Sequence, residues 1–278
     1  MPFHQELINQ VNQITILSNS LAIWGLGQLG VILKGADTVV YIDPYLSDHI
    51  EEVAGEKGKR VFPTPLHPQE VTNATYYLIT HEHIDHWDVK TAVPAAQASP
   101  QAQFITTGWC VEEMTQAGIA PDRILTPKAL EPVQLGDMRL TVIPAAHYEK
   151  EDDPQKGYRW LGFLLEWNGV TFYHSGDTII HDGYVETLRS LPKIDVAMLP
   201  INGRDWYRDH NDFLGNFHPA EAVQLAKELD WDVLIPGHND LIAANSIPPQ
   251  HLVEAIARYN PRQKFKYLQP GELYYYVK

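Results

Sequence analysis

Four side chains that can bind a metal ion occur within the short stretch THEHIDHWD, namely His81, His83, Asp85 and His86. The apolar run that precedes them ends at Thr80 and is typical of a strand. Because His81 and His83 are two residues apart, both side chains project to the same side of an extended chain. Neutral imidazole is the commonest metal ligand, and such groups gather in loops after strands. The motif therefore predicts a metal site at a strand end.

Further candidate ligands follow other predicted strands and small-residue turns: His147, His174, Asp177, His238 and Asp240. The first motif alone offers too many ligands for one ion with an open coordination position, which favours two ions close together. Histidine and aspartate donors without cysteine suit zinc, manganese or iron. We therefore expect two divalent ions per chain, Mn or Zn, with Fe as a further candidate.

The order of these motifs resembles the metallo-β-lactamase superfamily of metallohydrolases, from Trp24 to about Asp240. H-x-H-x-D-H is followed by a downstream histidine, by Gly-Asp-Thr and by Pro-x-His. The resemblance implies an α/β fold, a four-layer αββα sandwich with the metals at one sheet edge. It also implies the ligand sets: one ion bound by His81, His83 and His147, a second by Asp85, His86 and His238, and Asp177 bridging both.

Two further residues acquire supporting roles from this resemblance. Asp43 follows a strand in VVYIDPY, and the resemblance implies that it orients a ligand histidine. The alternative is that Asp43 and Pro44 only form a turn. His174 in YHSGD would support Asp177, and the alternative is a packed core histidine. The residues alone leave both pairs of interpretations open.

A narrower resemblance, carried by LAIWGLGQLGVILK, FYHSGDT and VLIPGHNDL, is to the L-ascorbate-6-phosphate lactonase branch, which is cytoplasmic and associated with manganese. It predicts a hydrolase in which a metal-bound hydroxide attacks an ester or lactone carbonyl, with Asp85 or Asp177 accepting a proton. The expected substrate is a sugar-acid lactone, with or without a phosphate. The alternatives are a phosphodiesterase acting on a cyclic nucleotide, nucleic acid or phospholipid, and a non-catalytic ligand-sensing protein.

An anionic small-molecule substrate needs cations or hydroxyl groups near the metals. The segment INGRDWYRDHNDFLGNFHP offers Arg204, Tyr207, Arg208 and His210 as candidate substrate contacts. The alternative is a solvated loop with ordinary arginine–aspartate pairs.

The sequence GLGQLG, Gly25 to Gly30, has the glycine spacing of a dinucleotide-binding fingerprint but lacks its structural context. Such a motif requires a helix after its third glycine, and only VILK separates that glycine from the turn Lys34–Asp37. We therefore predict a hairpin of strands at Leu21–Trp24 and Val31–Leu33 that continues to Val39–Ile42.

Composition excludes several classes of protein. A formal net charge of −14 disfavours nucleic-acid binding, and no amphipathic membrane anchor is evident. Cys110 is the only cysteine, so no intrachain disulfide can form, and no signal peptide is recognisable. We expect a cytoplasmic protein without a membrane partner, and a homo-oligomer remains one option.

Strands and helices are predicted to alternate, with a mixed sheet and one domain over 1–278. Helices are expected at Trp109–Gln116, Gly183–Ser190, Pro219–Leu229 and Pro249–Tyr259. Additional strands are expected at Ser20–Trp24, Tyr76–Thr80, Gln103–Thr106, Arg139–Ile143, Trp160–Trp167, Val170–His174, Val196–Pro200, Val233–Ile235 and Leu273–Val277. The segment Glu52–Pro68 is expected to be a loop-like insertion.

Overall fold

The computed structural model describes residues 3–211 and 213–278. The strands of the first sheet are β1 Ser20–Gly27, β2 Gly30–Gly35, β3 Thr38–Ile42, β4 Tyr76–Leu78, β5 Gln103–Ile105, β6 Ile124–Leu125 and β16 Leu273–Val277. Those of the second are β7 Val133–Leu135, β8 Met138–Pro144, β11 Leu161–Trp167, β12 Val170–His174, β13 Val196–Pro200, β14 Val233–Gly237 and β15 Lys264–Phe265. A small hairpin pairs β9 Asp152–Asp153 with β10 Gly157–Tyr158.

Each large sheet is half antiparallel and half parallel. The first has the order β16-β1-β2-β3-β4-β5-β6, and its pairs from β3 to β6 are parallel. The second has the order β15-β14-β13-β12-β11-β8-β7, and its pairs from β12 to β15 are parallel. Parallel neighbours place their carboxyl ends at the same edge, so the loops that follow β3, β4, β12 and β14 can meet.

The helices are α1 Gln5–Gln13, α2 His49–Ala54, α3 Val89–Ala98, α4 Val111–Gln116, α5 Tyr184–Ser190, α6 Trp206–His210, α7 Pro219–Glu228 and α8 Gln250–Tyr259. All of them except α2 and α6 pack against the outer face of one of the sheets. Short 3₁₀ turns occur at Gly55–Gly58, Pro68–Glu70, Pro121–Arg123 and Ala243–Asn245. No helix in the described ranges has the length and apolar character that crossing a bilayer requires.

Alternation along the strands creates three apolar layers. In β3, Val40 packs between the two sheets, whereas Tyr41 faces the opposite way into the cluster shared with α1 and α3. On the second sheet, Leu199 and Leu234 pack outward against α5, α7 and α8. Burial of a large apolar side chain contributes about 1.5–3 kcal/mol. These layers form the predicted four-layer αββα sandwich, and the prediction of a mixed sheet is confirmed.

The GLGQLG segment is the turn of a hairpin, as predicted. β1 and β2 pair antiparallel, with Gly27 opposite Gly30 and an irregular register after Gly25. Gln28 lies in this turn with a φ of 56°, in the left-handed region. A phosphate-binding helix therefore does not follow the third glycine, because β2 begins there.

Two helices, of nine and ten residues, were not predicted from the sequence. α1 follows the N-terminal residues, and α3 contains Pro94 within its span, which is a strong helix-breaking signal. The expected insertion Glu52–Pro68 includes the end of α2 and the turn Gly55–Gly58. Its Phe62 packs with Ile50 against a small apolar cluster that contains Tyr45 and Leu241.

Candidate metal centre

The predicted ligands meet at one edge of the sandwich, where the parallel strands of both sheets have their carboxyl ends. Each follows a strand directly or within a few residues: the His81–His86 loop after β4, His147 after β8, Asp177 after β12 and His238 after β14. Within the loop, the amides of His86 and Trp87 both donate to the carbonyl of His83, at 2.9 and 2.7 Å. This tight turn brings neighbouring side chains of the motif to a common point.

The first group of donors consists of three histidines. Nε2 of His81 lies 2.9 Å from Nδ1 of His83, and the ring of His147 is 5.5 Å from that of His81 between centroids. One nitrogen from each ring lies within 4.8 Å of the other two. His81 and His147 are buried, and burial lowers the pKa of His81 well below its ordinary value. A neutral imidazole is the form that ligates a metal.

The second group of donors combines one carboxylate with two histidines. Nε2 of His238 lies 3.0 Å, and Nε2 of His86 3.5 Å, from Oδ2 of Asp85. His238 has a φ of 59°, in the left-handed region, which is uncommon for a residue other than glycine. This backbone conformation turns the chain sharply after β14.

Asp177 lies between the two groups. Its Oδ2 is 3.3 Å from Nε2 of His147 and 3.1 Å from Nε2 of His238, while its Oδ1 is 3.5 Å from Nε2 of His86. The preceding Gly176 has a φ of 60°, and a Cβ there would lie 2.3 Å from a backbone carbonyl oxygen. Only glycine therefore allows this approach of Asp177 to the histidines.

Asp43 contacts the ring of His86, and orienting a ligand histidine is the role that the resemblance predicts for it. Its fully buried carboxylate lies 2.7 Å from Nδ1 of His86 and accepts hydrogen bonds from the amide and hydroxyl of Thr80, at 2.8 and 2.6 Å. A proton held on Nδ1 of His86 leaves Nε2 free to face the centre.

His174 does not reach the centre. Its Nε2 lies 2.9 Å from the carbonyl oxygen of Leu29, and its Nδ1 accepts a hydrogen bond from the amide of Gly176 at 3.2 Å. Burial lowers its pKa, so the ring is neutral. His174 thereby ties the turn before Asp177 to the β1–β2 hairpin, which is indirect support rather than contact with the carboxylate.

The residues fit a divalent metal centre. Among the described residues, Nε2 of His86, both ring nitrogens of His147 and Oδ1 of Asp177 are buried without a hydrogen-bond partner. Such atoms are costly to bury unless something else binds them. Burial lowers the pKa of His238, but the carboxylates of Asp177 and Asp85 outweigh it and raise the pKa to about 10. The same surplus of negative charge would attract cations.

Sequence reasoning missed Gln28. Its Nε2 donates to Oδ2 of Asp85 at 2.8 Å, and its carbonyl accepts from the amide of His238 at 2.7 Å. Its own amide donates to Oδ1 of Asp240 at 3.1 Å, and burial raises the pKa of Asp240 to about 6. The only signal in the sequence is a polar residue inside a glycine-rich turn between two apolar strands.

A cavity of about 260 Å³ opens onto the centre. It is lined by Gln28, Ile50, His83, Ile84, Asp85, His147, Asp177, Phe213, Leu214, His238, Ile242 and Asn245. Of the proposed ligands, His81 and His86 lie behind this surface and are buried. The cavity therefore exposes both donor groups to one small volume.

The four predicted substrate contacts do not line this cavity. The guanidinium of Arg204 donates to Glu221 and to the carbonyl of Asn216, both at 2.6 Å. Tyr207 is half exposed on α6, and His210 stacks on Trp206 of the same helix. Internal pairing holds the two arginines away from the cavity, and substrate contact by Tyr207 and His210 stays a prediction.

Arg208 has a structural role. It pairs with Asp205, which caps α6, and it donates to Oδ1 of Asn245 at 3.1 Å. With 9% of its surface exposed, it is not available to an anion in the cavity.

Comparison with known proteins places this site in a family. A family model described as a beta-lactamase superfamily domain matches residues 38–239. A UPF0173 metal-dependent hydrolase of Pyrobaculum aerophilum is 27% identical over 253 residues, covering 89% of this chain and 96% of that protein. A probable L-ascorbate-6-phosphate lactonase of Escherichia coli O127:H6 is 23% identical over 278 residues, covering 88% and 77%.

The structural comparison agrees with the observed layers. Igni18, described as a metallo hydrolase from Ignicoccus hospitalis, superposes with a TM-score of 0.70 at 18% identity, covering 92% of this chain and 98% of that one. The predicted enzyme class, a metal-dependent hydrolase, is confirmed at that general level. Since the family match covers more than half of the chain and contains every residue from His81 to His238, the chain belongs to the beta-lactamase superfamily.

Proposed function

We propose that the chain is a hydrolase with two divalent metal ions that cleaves a carboxylic ester or lactone. The position of Asp177 carries this proposal, because its oxygens face His147 on one side and His86 and His238 on the other. A carboxylate in that position could bind both ions of a two-metal site. The lactone assignment is supported by the lactonase of Escherichia coli among the relatives.

The two donor groups define the proposed ligand sets. One ion would be held by His81, His83 and His147, and the other by Asp85, His86 and His238. Divalent ions held there supply Lewis acidity and make water acidic enough to act as a nucleophile near neutral pH. Nitrogen and oxygen donors without thiolate suit zinc, manganese or iron.

The residues around the ions would position the ligands and transfer a proton. Asp43 fixes the ring of His86, and Gln28 fixes the carboxylate of Asp85. Asp85 also lines the cavity, so its carboxylate is placed to take a proton from water and to return it to the leaving alkoxide. Burial raises its pKa, but His86 and His238 outweigh this and hold the pKa well below its ordinary value, so the carboxylate is ionised before any proton transfer.

Metal content is the first test. Elemental analysis of protein purified without chelator should give about two ions per chain for the wild type and for a control, His251→Ala, whose histidine is exposed on α8. Asp177→Asn and His147→Ala should each bind fewer ions and lose turnover by about a thousandfold. Two ions with wild-type turnover in Asp177→Asn would refute the bridging role.

Substrate screening tests the reaction type. The metal-loaded protein should hydrolyse simple lactones and aryl esters faster than bis(p-nitrophenyl) phosphate. The opposite order would favour a phosphodiesterase, and no hydrolysis of either class by fully loaded protein would favour a ligand-sensing role.

A further inference from the structure

The wall of the cavity away from the metal ligands is largely apolar. Five apolar side chains form it: Ile50, Ile84, Phe213, Leu214 and Ile242. They come from α2, from the metal-binding loop and from the segments that follow α6 and β14, so distant parts of the chain build one surface. Apolar walls with a few placed polar groups are typical of small-molecule sites, and they favour hydrocarbon over charged groups.

No lysine or arginine is among the described residues that line the cavity. Two arginines lie close in the fold but do not line it. Arg60 forms a backbone bridge with Ile242, and its Nη1 donates to the carbonyls of Tyr45 and Ser47, both at 3.1 Å, while its Nη2 is buried without a hydrogen-bond partner. Arg208 is held by Asp205 and Asn245 behind the wall. A phosphate or carboxylate in the cavity would therefore lack a cationic side chain to bind it.

The metal ions would not supply surplus positive charge either. Carboxylates of Asp43, Asp85 and Asp177 surround the centre, and Asp240 adjoins it through Gln28. These carboxylates would offset the charge of bound cations, and the whole chain carries a formal net charge of −14. An anionic substrate gains little attraction at short or long range.

The remaining polar group on the wall is uncharged. Oδ1 of Asn245 accepts hydrogen bonds from Nδ2 of Asn202 at 3.0 Å and from Nε of Arg208 at 3.1 Å. Since the oxygen is held by these donors, the amide nitrogen is the atom left to a ligand. An NH₂ group suits a neutral acceptor such as an ester or ether oxygen.

We infer that the substrate is a small neutral ester or lactone with a short hydrocarbon substituent, and not a phosphorylated or carboxylated one. The inference rests on the proposed function and narrows its substrate class. At about 260 Å³ the cavity is slightly smaller than typical ligand sites, which span about 300–1,000 Å³, so it suits a small substrate. The substituent packs against the apolar wall while the reacting carbonyl faces the donor groups.

Hydroxamic acids test the inference without turnover, because they bind metal centres as chelating inhibitors. Dissociation constants would be measured with metal-loaded protein for acetohydroxamate, butanohydroxamate and hexanohydroxamate, and for the carboxylated succinic monohydroxamate. Each added methylene should tighten binding about fourfold. Succinic monohydroxamate should bind at least tenfold more weakly than butanohydroxamate, because its carboxylate is buried without a partner.

A cation placed on the wall should reverse this preference. Leu214→Lys should lower the ratio of butanohydroxamate to succinic monohydroxamate affinity by tenfold or more. The control is Leu17→Lys, which should leave the affinity ratio unchanged. Leu17 is 63% exposed and precedes β1, so it lies at the end of that strand opposite the Gln28 turn. A flat chain-length series, tighter binding of the carboxylate probe by the wild type, or binding of none of the probes would overturn the inference.

A parallel screen separates the failure of this inference from failure of the proposed function. If the hydroxamate series shows the expected slope but γ-butyrolactone, γ-hexalactone and aryl esters are not hydrolysed, the proposed reaction is wrong and the apolar site stands. If lactones are hydrolysed but 6-phosphogluconolactone is turned over faster than γ-hexalactone, the reaction stands and the substrate class is wrong.

Discussion

Replacing Asp43 by Asn should weaken metal binding without removing any ligand. The carboxylate accepts from Thr80 and from Nδ1 of His86 at 2.7 Å, which keeps the His86 proton on Nδ1. An amide NH₂ facing His86 would donate to Nδ1 and shift that proton to Nε2, the atom that faces the centre. Loss of such a supporting carboxylate typically lowers metal affinity 10–100-fold, or about 1.4–2.7 kcal/mol.

The same substitution should also destabilise the metal-free protein. Hydrogen bonds to a charged group contribute about 1.5–3 kcal/mol each, against about 0.5–1.5 kcal/mol for neutral ones. Removing the charge weakens all three bonds to Asp43, so the free energy of unfolding should fall by about 3 kcal/mol. For a chain of this size that corresponds to a fall in Tm of about 6–12 °C.

Competition with a chromophoric chelator would give the dissociation constant of each ion, and nitrogen NMR of the zinc form would report the His86 tautomer. The matched control is Asp195→Asn, because Asp195 is also buried and accepts from the amide of Thr171 at 2.8 Å and from Lys278 at 2.9 Å, at the start of β12. The control should lose stability and keep its metal affinity. Wild-type affinity for both ions in Asp43→Asn would refute the reasoning.

Four further predictions concern other parts of the site and core. Asp177→Asn should lose at least one ion per chain by elemental analysis; full occupancy would contradict its bridging role. Gln28→Ala should lower kcat/KM about tenfold by removing a donor to a carboxylate, and Gln28→Glu should lower it more; the reverse order would count against that contact. Urea unfolding should show Gly176→Ala losing more than about 3 kcal/mol, against about 1–2 kcal/mol for Gly118→Ala, whose Cβ would meet open space; equal losses would exclude the steric argument. Burial raises the pKa of Cys110, so Ellman's reagent should find no thiol in the native protein and one per chain in denaturant; rapid native reaction would disprove its burial.

Elements with strong local signals were predicted well. The Asn-Gly hairpin between β11 and β12 was predicted from EWNGVTF, and α7 and α8 lie within one residue of their expected bounds. α3 was missed because Pro94 lies inside it, and packing of Ala92 and Ala95 on the first sheet outweighs that penalty. Tertiary burial decided this element against its local propensity.

The sequence by itself determined which residues stand at strand ends, because apolar runs followed by His or Asp are visible in the letters. It therefore predicted the candidate donors from His81 to His238, whereas the supporting role of Asp43 came only from the family resemblance. Only the tertiary structure decided what surrounds them. Gln28 reaches Asp85, 57 positions away, through the β1–β2 turn, and Arg204 is neutralised by Glu221 across a loop. Contacts of this kind depend on how sheets and loops meet in space, and no local pattern encodes them.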